Sequence, residues 1–255
     1  MSRTSSVELK AVPGLPMIKP GDDLAALIGK GLEALRPQDR DVLVVAQKIV
    51  SKAEGRAVVI DSVTPSARAI EVANEVQKDP RLVEIILSES VRVVRTRPNV
   101  LIVEHRLGFV CANAGVDQSN VGAPDAPPTA LLLPKDPDGS AEKLRAALSK
   151  KFGVKLAVVI NDSFGRAWRR GTAGVAIGAA GLPSLLDLRG NPDLFGRTLQ
   201  VSISGFADEI AAAGSLVQGQ GDEGQPVVLV RGLDWKAADN PASELLRPAN
   251  EDMFR

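Results

Sequence analysis

The stretch that says most about the fold of this 255-residue chain reads Leu156-Ala157-Val158-Val159-Ile160-Asn161-Asp162-Ser163-Phe164-Gly165-Arg166. Residues 156–160 form a continuous apolar run of strand length, which predicts a buried β-strand. Residues 161–166 are mostly polar and predict a loop at the end of that strand, where functional side chains collect. In this loop, Asp162 and Ser163 offer two hard oxygen ligands in sequence, which suit Mg²⁺ or Mn²⁺ better than zinc.

Other apolar, β-branched runs predict strands at residues 42–46, 57–60, 100–103, 199–203 and 227–230. Runs with helical spacing predict helices at residues 22–35, 66–77, 81–88, 140–150 and 207–217. Several strands follow one another without an intervening helix, so the pattern predicts an α+β fold rather than a doubly wound sheet. Residues 123–139 are rich in proline and aspartate and predict a loop or a joint between subdomains.

Composition narrows the classes of partner and compartment. Lys and Arg number 31 and Asp and Glu number 31, so no net charge attracts nucleic acid or an anionic membrane. Aromatic residues make up 3% and tyrosine is missing, which argues against base-stacking modules. One cysteine excludes an intrachain disulfide, and the first ten residues lack the apolar core of a signal peptide. We therefore expect a cytoplasmic protein with no nucleic-acid or membrane partner.

The glycine-rich motifs of nucleotide-binding folds are missing or reversed. No P-loop motif occurs. Gly219, Gly221 and Gly224 match the dinucleotide fingerprint, but a predicted helix precedes them and a predicted strand follows, which is the reverse of the Rossmann order. Composition alone favours an ordinary turn here. The alternative is a loop whose polar side chains hold a metal or a ribose: Gln220, Asp222 and Glu223.

Two further polar clusters admit a functional and a structural interpretation. Asp117 and Asn120 are three positions apart, which can bring a carboxylate and an amide to one side of a turn. Asp162 is followed by three arginines, which together suit phosphoryl transfer, although a capped turn with solvated arginines fits equally: Arg166, Arg169 and Arg170.

A third polar cluster follows strand 42–46. Lys48 or Lys52 there could reach a phosphate, or the segment could be a solvated hairpin. His105 is the only histidine and is predicted to lie at the surface, whereas Cys111 lies in an apolar run and is predicted to be buried. One histidine and one cysteine cannot build a zinc site of the His/Cys type.

A set of motifs, in order along nearly the whole chain, resembles the F420:γ-glutamyl ligase family. No single motif is specific, but the ordered set is: Gly14-Leu15-Pro16, Gly21-Asp22-Asp23-Leu24, Val50-Ser51-Lys52-Ala53-Glu54-Gly55-Arg56, residues 108–117 with Ser119-Asn120, Asp162-Ser163-Phe164-Gly165-Arg166, Gly174-Val175-Ala176-Ile177-Gly178, Asp208-Glu209-Ile210-Ala211, Val228-Leu229-Val230-Arg231-Gly232, Leu246-Arg247-Pro248 and Asp252-Met253-Phe254-Arg255.

The resemblance implies an α+β fold of mixed and antiparallel sheets with helices, in two interleaved subdomains. It implies one ligase domain over residues 1–255, with a subdomain boundary near residues 123–139 and without the nitroreductase-like domain that some members carry. It implies a homodimer and a GTP-dependent enzyme that forms amide bonds. The substrates would be coenzyme F420-0 and L-glutamate, joined through an acyl phosphate, with further glutamates added by γ-linkage.

The resemblance also implies the site residues. The nucleotide would contact the following residues: Leu15, Pro16, Met17, Ile18, Gln47, Lys52, Asn120, Gln218, Gly219, Gln220, Gly221, Asp222, Glu223, Gly224 and Gln225. Asp117, Asp162 and Arg166 would be the catalytic set. Mg²⁺ or Mn²⁺ would bind as two ions per site, one on Asp117 and Asp162 and the second on Ser163 and Gln220, with K⁺ as a further candidate ion. Family members often have an acidic residue at the position of Gln220, and an amide oxygen is a weaker ligand.

Two other functions use the same residues: a metal-dependent phosphohydrolase and a non-catalytic nucleotide-binding module. Only the ligase predicts nucleotide consumption that depends on both glutamate and the deazaflavin acid. Without an ion, two adjacent aspartates repel each other. We therefore expect that replacing either Asp117 or Asp162 leaves the stability of the metal-free protein unchanged or higher.

Overall fold

The computed structural model describes residues 6–122 and 125–253. Predictions on residues 1–5, 123–124 and 254–255, which include part of the expected subdomain joint and the end of the terminal motif, lie outside the described residues. The described residues form twelve strands: β1 (Glu8–Ala11), β2 (Val42–Ala46), β3 (Ala57–Val59), β4 (Ser90–Arg97), β5 (Val100–His105), β6 (Val110–Ala112), β7 (Thr129–Leu131), β8 (Ala157–Arg166), β9 (Arg169–Ala180), β10 (Leu186–Asp187), β11 (Ile203–Ser204) and β12 (Val227–Arg231).

The same residues form six α-helices: α1 (Leu24–Glu33), α2 (Gln47–Ala53), α3 (Ala67–Val76), α4 (Pro80–Ser88), α5 (Pro137–Phe152) and α6 (Phe206–Gln218). Local signals set where several of them begin. Asp23 accepts a hydrogen bond from the backbone of Ala26 at the start of α1, and Ser66 caps α3 in the same way. All five predicted helices are present, and the predicted α+β class is confirmed.

A five-stranded mixed sheet forms the centre of the fold, in the order β1-β12-β2-β8-β9. Only the β2–β8 pair is parallel. Alternate residues of β2 enter two separate cores. Leu43 and Val45 face the core built with α1 and α5, whereas Val42 and Val44 face the core built with α6. Both faces of the sheet are therefore covered by helices.

Glycines allow α6 to lie close against the sheet. A Cβ atom at Gly214 would come within 2.7 Å of the Val44 side chain, and one at Gly174 within 2.5 Å of the Ala211 carbonyl oxygen. A larger residue at either position would push α6 away from β2 and β9. The C-terminal end of α6 thereby lies against the middle of β8, where Gln218 contacts Asn161.

A second, smaller unit has its own core. Strands β4, β5 and β6 form an antiparallel sheet, and α3 and α4 pack against it over buried residues such as Val72, Ile86 and Val103. Strand β7 pairs with β3 and also bridges to Asp117, which donates its backbone N–H to Leu131 and accepts the N–H of Leu131. These bonds fix the segment that carries Asp117.

The prediction of a loop at residues 161–166 is wrong. Strand β8 continues through this polar stretch to Arg166 and forms a long hairpin with β9, in which Ser163 lies opposite Gly174. Ala167 and Trp168 form the turn, with Trp168 at a φ of 57°. This turn lacks the Asn-Gly or Asp-Gly pair that marks most two-residue hairpins, so no local signal indicates it.

Three other predictions differ from the structure. Residues 199–203 are not a core strand, because only β11 pairs there, with β10, and Val201 is exposed. Residues 123–139 are not wholly a loop, because they contain β7 and the first turn of α5. The solvated hairpin that remained an alternative after β2 is wrong, because residues 47–53 form α2.

No helix in residues 6–122 and 125–253 has the length and apolar character needed to cross a bilayer.

Candidate active site

A cavity of about 410 Å³ opens where five segments meet. Its walls come from the loop before α1, the end of β2 with the start of α2, the loop at Asn120, the middle of β8, and the end of α6 with the glycine-rich loop after it. The loop after α6 leads into β12, so the reversed order predicted for the glycine motif is confirmed. A Rossmann site is therefore ruled out at this loop.

Every residue that the family resemblance implied for the nucleotide lines this cavity. Of the implied metal ligands, Asp162, Ser163 and Gln220 also line it. Asp117 does not line it, but its carboxylate lies 2.8 Å from the ammonium group of Lys48, which does. Residues from distant parts of the chain are thus brought to one site.

The glycine-rich loop is held in shape by its own acidic side chain. The Glu223 carboxylate accepts the backbone N–H of Gly221 at 2.8 Å and lies where a Cβ atom at Gly219 would be. Backbone N–H groups lower the pKa of the Glu223 carboxyl. Gly219 and Gly224 both have positive φ, which side chains disfavour. The glycine at each position is therefore required by the turn.

Side-chain amides tie this loop to the rest of the cavity. Asn161 and Gln218 exchange two hydrogen bonds, at 2.8 and 3.1 Å, which join β8 to the end of α6. Across the cavity, Asn120 donates to the carbonyl oxygen of Gly221 at 3.2 Å, and Lys52 donates to the carbonyl oxygen of Asn120 at 2.6 Å. A ligand in the cavity would therefore contact segments that already contact one another.

Asp162 is the carboxylate at the floor of the cavity, and its charge is poorly solvated there. Burial and the nearby negative charge of Asp117 raise the pKa of Asp162, a backbone N–H and Lys48 lower it, and the net result is a pKa of about 6. Cys111 lies behind it and is buried, as predicted. Burial and the charge of Asp162 raise the pKa of the Cys111 thiol to about 12, so this thiol is not a nucleophile.

Asp117 has the opposite environment. One carboxylate oxygen accepts the backbone N–H of Ser119 at 2.7 Å, and the other lies 2.8 Å from the Lys48 ammonium group. Burial alone would raise the pKa of Asp117, but the hydrogen bonds from Lys48 and Ser119 outweigh it and lower the pKa. The expectation for the replacement of Asp117 considers only its repulsion from Asp162, whereas Asp117 is also paired with Lys48 and Ser119.

The donor set fits a hard divalent cation rather than a closed protein cage. No group of three His, Cys, Asp or Glu side chains converges within residues 6–122 and 125–253. Two carboxylates in electrostatic contact, with a hydroxyl and an amide close by on the cavity wall, suit Mg²⁺ or Mn²⁺, which take one or two carboxylates and fill the other positions with water and phosphate oxygens. A divalent ion would also offset the cost of charging Asp162.

Arg166 stands apart from this cavity. It lies at the exposed end of the β8–β9 hairpin, together with the exposed Arg169 and Arg170, and its guanidinium group donates to the carbonyl oxygen of Arg170. It does not line the cavity that contains Asp162. The three arginines therefore form a basic end to the hairpin, separate from the cavity floor.

Lys48, Asn161 and Ser215 line the cavity but are not among the implied site residues. The polar cluster after strand 42–46 already indicates Lys48 as a candidate for a phosphate, and on α2 it shares one face with Lys52. Asn161 lies in the polar stretch at residues 161–166, but no sequence pattern indicates a role for its amide, which depends on contact with Gln218. Ser215 lies one turn before the end of α6, and no feature of the sequence indicates its role.

His105 is buried and not at the surface as predicted. The residues of β5 alternate between its two faces, and His105 lies on the inner one with no exposed surface. Its Nδ1 accepts the backbone N–H of Leu107, and its Nε2 faces Glu89 at 3.5 Å. Burial alone would raise the pKa of Glu89, but His105 and the guanidinium groups of Arg56 and Arg106 lower it to about 2. This cluster lies outside the cavity lining.

Comparison with known proteins assigns the family. Residues 14–232 match the model of the family described as F420-0:Gamma-glutamyl ligase. The chain is 46% identical to a coenzyme F420:L-glutamate ligase of Methanothermobacter thermautotrophicus, over 98% of this chain and 99% of that protein. A protein of the same name from Methanopyrus kandleri is 44% identical over 100% of this chain and 100% of that protein. One from Archaeoglobus fulgidus is 44% identical over 98% of this chain and 96% of that protein.

Proposed function

Because this chain belongs to the F420-0:gamma-glutamyl ligase family, we propose that it is a GTP-dependent ligase that joins L-glutamate to the carboxylate of coenzyme F420-0. The relatives named above are called coenzyme F420:L-glutamate ligases and align with this chain over nearly their whole length. The observation that carries the proposal is the cavity, in which Asp162 and the glycine-rich loop lie beside two lysines. Further glutamates would be added by γ-linkage.

The charges of the cavity fit a triphosphate that brings its own cations. Lys48 and Lys52 lie on one side, and Asp162, Asp222 and Glu223 lie on others. This balance is too acidic to hold a triphosphate by itself. When bound, the divalent ions would neutralise the phosphate charge and polarise the phosphorus–oxygen bond. Asp117 and Asp162 would hold one ion, and Ser163 and Gln220 a second.

The proposed reaction has two steps that need no protein nucleophile. A carboxylate oxygen of F420-0 attacks the γ-phosphorus of GTP, and GDP leaves, which gives an acyl phosphate. The amine of glutamate then attacks the carbonyl carbon, the bond to the phosphate oxygen breaks, and phosphate and a proton are released. Lys52 would bind the triphosphate. The hydrogen bonds between Asn161 and Gln218 would hold Asp162, next to Asn161, in a fixed position relative to the glycine-rich loop.

The acidic acceptor requires positive charge outside the nucleotide cavity. F420-0 carries a phosphodiester and a carboxylate, and the end of the β8–β9 hairpin carries Arg166, Arg169 and Arg170. Guanidinium groups bind both kinds of anion in a bidentate manner. We therefore assign Arg166 to the acceptor rather than to GTP.

We also propose a homodimer that works in the cytoplasm. Residues 165–172 at the end of the hairpin are exposed, and a two-stranded ribbon is marginally stable in water without a packing partner. Large apolar side chains are exposed elsewhere as well, among them Leu194 at 100% and Phe195 at 88%. The cytoplasm supplies GTP and keeps the single cysteine reduced.

The proposal is tested by mass spectrometry of F420-0 incubated with GTP, Mg²⁺ or Mn²⁺ and L-glutamate. The expected product is F420-0 with one or more added glutamates, with one GDP formed for each glutamate. Omission of F420-0 should stop GDP formation, and omission of glutamate should stop its continued formation after at most one GDP for each active site. GDP formed at the same rate without glutamate and F420-0 would contradict the ligase and favour a phosphohydrolase. Asp162→Asn protein serves as the inactive control.

A further inference from the structure

The ammonium group of Lys48 binds the carboxylate of Asp117, which is one ligand of the proposed metal site. Its Nζ lies 2.8 Å from Oδ2 of Asp117, 2.7 Å from Oγ of Ser119 and 3.3 Å from the carbonyl oxygen of Ser119. Three acceptors match the three N–H donors of an ammonium group. Lys48 therefore uses all its donors on one short turn, whose residues lie 69 to 71 positions further along the chain.

The turn itself is arranged around the same carboxylate. Ser119 donates its backbone N–H to one carboxylate oxygen of Asp117 at 2.7 Å and its hydroxyl to the other at 3.0 Å. Oδ2 of Asp117 thus receives the hydroxyl and the ammonium group together. The ammonium charge also reaches Asp162, where it lowers a pKa that burial and Asp117 raise. Lys48 is therefore placed to act on both proposed metal ligands.

An ammonium group and a divalent ion compete for this oxygen. Mg²⁺ binds carboxylate oxygens at about 2.1 Å. With Lys48 at 2.8 Å from the same atom, the two cations would be no more than about 5 Å apart. At that separation their repulsion is significant even at the effective dielectric of a protein surface. A bound ion therefore disfavours the contact that Lys48 makes in this structure.

We propose that Lys48 stands in for the divalent ion in the metal-free site and leaves Asp117 when metal and triphosphate bind together. Lys48 lines the cavity, so a phosphate there can accept the hydrogen bonds that it gives up. Metal and nucleotide binding are then positively coupled through this side chain. Lys48 is a positioning residue of the metal site, and the inference rests on the proposed function, which assigns Asp117 to the metal.

A purely structural lysine would behave differently. If Lys48 only pins the turn at residues 117–119, its removal loosens Asp117 and weakens metal binding. If it stands in for the ion, its removal frees a carboxylate oxygen and strengthens metal binding in the absence of nucleotide. The two roles therefore predict opposite signs for the same measurement.

The test is calorimetric titration of the full chain with Mn²⁺, with and without a non-hydrolysable GTP analogue. In Lys48→Met, we expect Mn²⁺ to bind about 10-fold more tightly than in the parent when nucleotide is missing, and we expect the analogue to add less affinity than it adds in the parent. Lys52→Met is the matched control, because Lys52 lies one turn further on α2 and donates to Asn120 instead of Asp117. We expect its effect on Mn²⁺ affinity without nucleotide to stay below about 3-fold.

Unchanged or weaker Mn²⁺ binding by Lys48→Met, or an equal gain in Lys52→Met, would overturn the inference. A parent that binds no Mn²⁺ even with the analogue would contradict the metal site of the proposed function, and the role of Lys48 with it. Should Lys48→Met fold poorly in chelator, Ser119→Ala removes one acceptor of Lys48 and should tighten Mn²⁺ binding in the same direction. No gain in that variant would also overturn the inference.

Discussion

Asp162→Asn should stabilise the metal-free protein at neutral pH, whereas Asp117→Asn should destabilise it. The two carboxylates are neighbours, but their environments shift their pKa values in opposite directions. Burial and the charge of Asp117 disfavour the ionised form of Asp162. Lys48 and Ser119 stabilise the ionised form of Asp117 more than burial disfavours it.

The magnitude follows from the shift at Asp162. Its pKa rises from an ordinary value of 3.8 to about 6. A difference of one in pKa between the folded and unfolded protein corresponds to about 1.4 kcal/mol. Ionised Asp162 therefore lowers the free energy of unfolding by up to about 3 kcal/mol at pH 7. Because the folded pKa is raised, the more stable condition lies below pH 3.8, and that stability is lost as the pH rises through about 6. Asparagine does not ionise and lacks this dependence.

The sign at Asp117 is reversed. Its pKa is lowered in the folded protein, so its contribution is present above the ordinary value of 3.8 and is lost as the pH falls through the lowered pKa. The Asp117 side chain is 35% exposed, and solvent weakens its ion pair with Lys48. We therefore expect Asp117→Asn to lose no more than about 1 kcal/mol at pH 7.

The assay is urea unfolding in chelator at pH 5.0 and pH 7.5 for the parent and both variants. Titrating groups that lie away from this cluster act equally in all three proteins and cancel in the comparison. Asp117→Asn also removes a charge that raises the pKa of Asp162, and this relief of repulsion limits the stability that Asp117→Asn loses. Asp162→Asn should be more stable than the parent at pH 7.5, and the difference should shrink at pH 5.0. An Asp162→Asn variant that is no more stable at pH 7.5, or a difference that does not change with pH, would refute the reasoning.

Three other substitutions separate the roles of nearby groups. Lys52→Ala should raise the KM for GTP by about 10-fold or more, with little change in melting temperature, since a partly exposed lysine supports little of the core. His105→Gln should lower the free energy of unfolding by about 1–3 kcal/mol, because the buried contact with Glu89 is lost, and should leave kcat unchanged below the melting transition. Arg166→Ala should raise the KM for F420-0 more than the KM for GTP.

Each of these has a result that would count against it. GTP kinetics unchanged in Lys52→Ala would remove that lysine from the triphosphate. A large fall in kcat for a stably folded His105→Gln protein would mean that the imidazole takes part in the chemistry. A greater effect of Arg166→Ala on GTP than on F420-0 would move that arginine to the nucleotide.

The helices and strands that the sequence predicts well are those determined by residues close together in the chain. Helices α1 and α3 are marked by Asp23 and Ser66, whose side chains cap the first turn. Strand β2 and the first half of β8 are buried on both faces, so each is a continuous apolar run that can be predicted as a strand without knowledge of its neighbours. The five predicted helices and most of the predicted strands are therefore where local chemistry indicates them.

The features that sequence patterns miss depend on distant contacts. The hairpin end of β8 is polar, and only its pairing with β9 makes it a strand. His105 resembles a surface residue until α4 brings Glu89 beside it. The pair formed by Lys48 and Asp117 joins segments that lie 69 positions apart, and no spacing rule connects them. The cavity lining follows from the family resemblance, whereas residue patterns alone left each of its loops open to a structural interpretation.

The most direct test of the ligase account follows one oxygen atom. F420-0 with both oxygens of its carboxylate labelled with ¹⁸O is incubated with GTP, Mg²⁺, L-glutamate and the enzyme, and the released phosphate is analysed by mass spectrometry. An acyl phosphate intermediate predicts that the phosphate released with the first glutamate carries one ¹⁸O atom from the carboxylate and that the first new amide keeps the other, whereas phosphate from later glutamate additions is unlabelled. A product with one added glutamate, formed without any ¹⁸O-labelled phosphate, would contradict the account.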